Sequence, residues 1–139
     1  MNKKLQILTC MLIPMAAFGQ LKSPDCAKVK NGHFFYHSKK VNLWSEIFRN
    51  DTMHMEVVKG TNDTLVYKID WTEPCLFTMQ LMKSNQHFEP GEEAFTKSYI
   101  AANRVLKVAK EYYTFEAIMT SKDYAKEYKF SDTVWYKIK

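Results

Sequence analysis

Apolar residues recur at every second position in one short run after another along this chain, and that spacing fixes the fold class before anything else is considered. Leu65, Tyr67, Ile69 and Trp71 alternate with Thr64, Lys68 and Asp70; Cys75, Phe77, Met79 and Leu81 alternate with Thr78 and Gln80. Met53, Met55 and Val57 alternate with His54 and Glu56, and Tyr113, Phe115, Ala117 and Met119 with Thr114 and Glu116. Tyr128, Phe130, Val134, Tyr136 and Ile138 complete the pattern. A period of two gives each run one dry and one wet face, which is the mark of a half-buried strand. Gly32 to Ser38, Leu43 to Arg49 and Arg104 to Lys110 are less regular but strand-like, so eight strands are expected.

The punctuation is short. Asn50-Asp51, Gly60-Thr61-Asn62-Asp63, Thr72-Glu73-Pro74, Lys110-Glu111 and Ser121-Lys122-Asp123 each suit a tight reversal between antiparallel neighbours. The long connection runs from Lys83 to Asn103. There Pro90-Gly91 precedes Glu92 and Glu93, and Phe95, Tyr99 and Ile100 follow at helical spacing, predicting a short helix near residues 92–102 with acids in its first turn. The expected architecture is mainly β: one antiparallel meander forming a small lipocalin-like barrel or an open half-barrel, with the helix over its open side.

The 139 residues allow one domain. Lys3 and Lys4 precede a mostly apolar stretch from Leu5 to Phe18, and Ala17-Phe18-Gly19 places small residues before a cut, the layout of a secretory signal peptide. The stretch falls short of the roughly 20 residues of a membrane-spanning helix, and no second long apolar run follows. Residues 1–19 are therefore expected to be removed, leaving 20–139 as an exported β-rich domain, periplasmic or secreted. Lipidation at Cys10 is the minority reading, because Thr9 is a poor residue before such a cysteine.

Losing Lys3 and Lys4 takes the net charge from +5 to +3, and most of the excess sits in lysines between residues 20 and 41. With only Arg49 and Arg104 for bidentate phosphate contacts, and with export expected, nucleic acid is not the partner. Two cysteines remain, Cys26 and Cys75. In an oxidising compartment an even pair reads as a disulfide, and closing that 49-residue loop restricts the unfolded chain by about 4 kcal/mol on the loop-entropy model.

No catalytic motif stands out. Gly32, Gly60 and Gly91 lie too far apart for a phosphate loop, and no serine has the glycines of a nucleophile elbow. His33 and His37 share one face of a strand and His54 with Glu56 sits on another, a weak metal set whose ordinary reading is three exposed polar positions. No cofactor is expected. Phe34, Tyr36, Trp44, Phe48, Met53, Met55, Trp71, Phe77, Met79, Tyr113, Phe115 and Met119 are assigned to the dry face, where they fill a core or line a pocket for an apolar ligand.

With those residues in view, the chain resembles a family of short exported bacterial proteins often labelled "DNA topoisomerase IV". The resemblance covers Cys26 to Ile138. It rests on Cys26 with Gly32-His33-Phe34, on Ile47-Phe48-Arg49-Asn50-Asp51 leading to Glu56, on Ile69-Asp70-Trp71 before Cys75-Leu76-Phe77, and on Tyr113-Thr114-Phe115. It implies a small mostly β domain with the two cysteines bridged and no established activity. The label itself is unsupported, since nothing in these residues builds a topoisomerase. The chain departs from shorter relatives in its longer 83–103 segment. The matched charges Arg49 and Glu56 are read as a hairpin clamp or as part of a pocket mouth with Trp71, Phe77, Tyr113 and Phe115.

The leading expectation is a non-enzymatic envelope protein that binds a protein partner or a small apolar ligand. The alternative is a small hydrolase or isomerase with His54, Glu56 and Asp70 gathered in a cavity.

Overall fold

The computed structural model describes residues 23–138; the expected signal segment 1–19 and Cys10 lie outside them. A four-residue helix α1 (Ala27–Lys30) leads into β1 (Gly32–Ser38), β2 (Leu43–Arg49), β3 (Met53–Val58), β4 (Thr64–Glu73) and β5 (Leu76–Ser84). Helix α2 (Glu92–Ser98) follows, then β6 (Tyr99–Val108), β7 (Tyr112–Ser121) and β8 (Tyr128–Trp135). Each strand pairs antiparallel with the next, and β8 returns to β1, so the meander is a closed eight-stranded barrel rather than a half-barrel. Closure satisfies the edges that an open sheet would leave bare.

The seam is the weakest join. β1 meets β8 through two register pairs, Phe35 with Trp135 and Tyr36 with Val134, whereas β1 and β2 pair along their full lengths from Gly32↔Arg49 to Ser38↔Leu43. A side-chain hydrogen bond reinforces the seam: the Tyr36 hydroxyl donates to Asp132 Oδ2 at 2.8 Å.

Two expectations need correction. The helix ends at Ser98, and Tyr99 and Ile100 open β6 instead. From Tyr99 on, ladder bonds to β5 and β7 are available, and Tyr99, Ala101, Asn103 and Val105 alternate inward, so the strand outcompetes a longer helix. The faces of β2 and β3 are also opposite to the expected ones. Residues paired across a sheet share a face, and Phe34↔Ile47 and Gly32↔Arg49 put Ile47 and Arg49 on the inner side with Phe34. Arg49↔His54 and Ile47↔Glu56 carry that side to His54 and Glu56. Trp44, Phe48, Met53 and Met55 therefore face outward, Phe48 and Met53 being exposed.

One end of the barrel is solid. Val29 of α1 is fully buried and joins Cys26, Phe34, Ile47, Ile69, Phe77, Val105, Tyr113 and Val134 in a single cluster. Cys26 stands at disulfide distance from Cys75, in the turn between β4 and β5, with their Cα atoms 5.3 Å apart. The pair ties α1 beneath the barrel, which is why so short a helix persists there. Gly32, which opens β1 after the α1 cap residue Asn31, has φ +148°, and a Cβ at that position would lie 3.1 Å from the Phe34 ring. Among the described residues no helix is long and apolar enough to cross a membrane.

Candidate functional site

Above the solid end a cavity of about 240 Å³ opens. Its wall can be followed along each strand away from the core: Phe77, Met79 and Leu81 on β5; Asn103, Ala101 and Tyr99 on β6; Tyr113, Phe115 and Met119 on β7. Thr96 of α2 lies at the far end, where the helix packs on β5 and β6. Phe130 and Val134 of β8 and Tyr36 of β1 complete the seam side. The surface so formed is mostly apolar and aromatic, with a few polar groups gathered on one wall, the usual composition of a small-molecule site.

That polar wall comes from β1 to β4. Arg49 lies at the base, 7% exposed. Its Nη1 donates to the Val29 carbonyl at 3.0 Å, fastening β2 to α1. Its Nε donates to His54 Nδ1 at 3.2 Å, with Nη2 3.1 Å from the same atom. The guanidinium also faces the rings of Phe34, Phe77 and Tyr113 at 5.2–5.8 Å. A guanidinium can only donate, so Nδ1 must present its lone pair and the imidazole carries its proton on Nε2. That nitrogen faces Glu56 Oε2 at 4.0 Å. The order along the wall is thus cation, neutral imidazole, carboxylate.

Burial drives the electrostatics. It pushes the His54 pKa down to about 4, with the Arg49 charge adding to the effect and Glu56 opposing it. Burial also acts to raise the Glu56 carboxyl, but the side chains of His54 and Ser45 beside it, with the Arg49 charge, outweigh it and hold the group below the ordinary range. Glu56 is therefore a carboxylate inside the barrel. Tyr67 is pushed above the ordinary phenol range by burial and then by the Glu56 charge; Tyr36 is raised by burial and by its bond to Asp132. Both phenols keep their protons: that of Tyr36 is donated to Asp132, and that of Tyr67 can be donated.

The structure gathers some of the expected site residues and scatters others. Arg49, Glu56, Phe77, Tyr113 and Phe115 line the cavity. Arg49 and Glu56 do not clamp the hairpin directly, because His54 stands between them. Trp71 lies outside the lining, packed on Phe77 at 4.5 Å with the Lys30 ammonium 4.9 Å from its ring. His54, expected on the wet face, is 4% exposed and points inward. His33 is outside the barrel, bonded to Glu46 at 3.0 Å, and His37 is bonded to Asn42 at 3.0 Å, so the three histidines do not converge. Among the described residues no three or more His, Cys, Asp or Glu side chains are placed to hold a metal ion. Asp70 is exposed and paired with Lys68 at 2.9 Å, away from His54 and Glu56.

Chemically, the imidazole lone pair is engaged by Arg49, so His54 has none to offer a reacting group in the lumen. What the wall does offer is one ionised carboxylate and the Tyr67 phenol beside an apolar volume. Tyr36 was among the residues assigned to a core or pocket, whereas Tyr67 and Asn103 of the lining were not singled out, nor was Asp132, which holds Tyr36 at the seam; Tyr67 read as ordinary alternation, and Asp132 interrupts an apolar alternation that gave it no special standing. No family model, no curated protein and no solved structure matches the chain.

Proposed function

We propose that the chain is an exported binding protein of the cell envelope, without catalytic activity, whose barrel holds a small, mostly apolar ligand. The observation that carries this reading is the cavity of about 240 Å³ walled by aromatic and aliphatic side chains. A small domain has little apolar surface to spare, so an interior left unfilled costs packing energy that a ligand restores. The volume is below the roughly 300–1,000 Å³ of drug-sized sites and suits a ligand on the order of ten heavy atoms rather than a long acyl chain. Barrel closure also favours an interior ligand over strand addition by a partner, since the pairing of β8 with β1 interrupts the edge that such addition requires.

Export is supported by the amino-terminal sequence pattern and by the Cys26–Cys75 pair, which suits an oxidising compartment. Membership of the short exported family whose motifs the chain shares rests on those motifs. The test is binding of 1-naphthylamine, a dye neutral at pH 7 and of about the cavity's size whose emission responds to apolar surroundings, to the folded protein and to Ala101→Phe, which fills the cavity. Saturable dye binding lost in the filled variant supports the proposal; no binding, or binding unaffected by filling, overturns it.

A further inference from the structure

We infer that the ligand is a small organic monocation, an amine on an apolar or aromatic body, seated with its ammonium at Glu56. This rests on the cavity-binding reading above and specifies its chemistry.

Glu56 is an ionised carboxylate on the cavity wall, and a buried carboxylate offers about four lone-pair positions. His54 Nε2 faces one oxygen at the long distance of 4.0 Å, and Ser45 also acts on the carboxylate, which leaves acceptor capacity toward the lumen. Arg49, the one cationic side chain in the lining, is committed elsewhere: to the Val29 carbonyl, to His54 Nδ1 and to three ring faces. The imidazole separates it from the carboxylate. With Arg49 so engaged, Glu56 is the ionic group of the lining that keeps capacity for a ligand.

The rest of the wall suits the same class. Tyr36, Tyr67, Tyr99, Phe115 and Phe130 surround the volume, and aromatic faces attract a desolvated ammonium through the ring quadrupole. An anionic ligand would meet Glu56 as a like charge inside a low-dielectric cavity, and a pure hydrocarbon would leave the carboxylate desolvated without a partner.

Three probes of nearly one shape decide the matter: phenethylamine, ethylbenzene and phenylacetate, each competed against 1-naphthylamine, which is neutral at pH 7. A charge-assisted hydrogen bond in a buried site predicts that the amine binds roughly tenfold or more tighter than either of the others. Glu56→Gln, which keeps the shape, should bring the amine to within about threefold of ethylbenzene, while Glu56→Asp keeps part of the preference. If Glu56→Gln does not fold, the wild-type ranking decides alone. Equal binding of amine and hydrocarbon, or tightest binding of phenylacetate, overturns the inference and leaves the cavity reading standing. A wild-type protein that binds neither dye nor any probe overturns both.

Discussion

Replacing Arg49 with methionine is the most demanding perturbation of this fold, because it keeps the bulk of the side chain and removes only its charge and donors. The structure gives the terms. The bond from Nη1 to the Val29 carbonyl is lost, as are the bonds to His54 Nδ1, and each leaves a buried acceptor without its donor. Hydrogen bonds involving a charged group contribute roughly 1.5–3 kcal/mol each, and removing one member of a buried charged network typically costs about 3–5 kcal/mol. The ring contacts with Phe34, Phe77 and Tyr113 are exchanged for thioether contacts of smaller magnitude. Against these losses, methionine avoids the cost of desolvating a guanidinium, so the expected loss is about 3–5 kcal/mol rather than the full sum. For a domain of this size that lowers the melting temperature by very roughly 12–20 °C. Urea unfolding of wild type and Arg49→Met, followed by tryptophan fluorescence, measures it. A loss below about 1 kcal/mol would refute the reasoning, since the guanidinium would then not be the fastener between β2 and α1.

Other predictions follow from the same interior. His54 has an ordinary pKa of 6.5 in the unfolded chain and about 4 in the folded one, so the unfolded state binds the proton first and stability is lost as pH falls through the window from about 6.5 to 4. The loss approaches roughly 3 kcal/mol, the lowered Glu56 pKa steepens it toward the acid end, and unfolding free energies from pH 7 to 4.5 should slope for wild type and flatten for His54→Leu. Replacing both Cys26 and Cys75 with alanine should cost about 2–4 kcal/mol in chemical unfolding, with α1 the first segment to gain hydrogen exchange. Gly32→Ala should lower the melting temperature by several degrees, since its Cβ meets the buried Phe34 ring at a backbone angle unsuited to side chains; an unchanged melt would show that Phe34 can move aside.

The limits of sequence reading here have a single physical origin. Alternation locates a strand but does not say which of its faces is inside when the inside is partly polar. In β4, β5 and β7 the inner positions are apolar, Ile69, Phe77 and Tyr113 among them, and alternation assigns them the correct side. In β2, apolar residues occupy both parities, Leu43 and Ile47 against Trp44 and Phe48, so the pattern is balanced and the register with β1 decides. In β3 the inner residues are His54 and Glu56, while Met53 and Met55 lie outside, the reverse of the ordinary rule. The inversion follows from the site: a charged wall inside a barrel needs polar residues at inward positions, satisfied by one another. Arg49 and Glu56 were legible as paired charges across a turn, but His54 as their intermediary was not, because only the barrel brings its ring between them. Helix α1 is too short to show any period, and its place depends on the distant Cys75.

The central claim is that the barrel interior holds a ligand, and native mass spectrometry of the protein purified from its own cell envelope tests it most directly. A discrete added mass on the folded chain, on the order of a ten-atom organic molecule and absent after denaturation, is the predicted result. The bare chain alone, with no mass gained when phenethylamine is supplied, would contradict it.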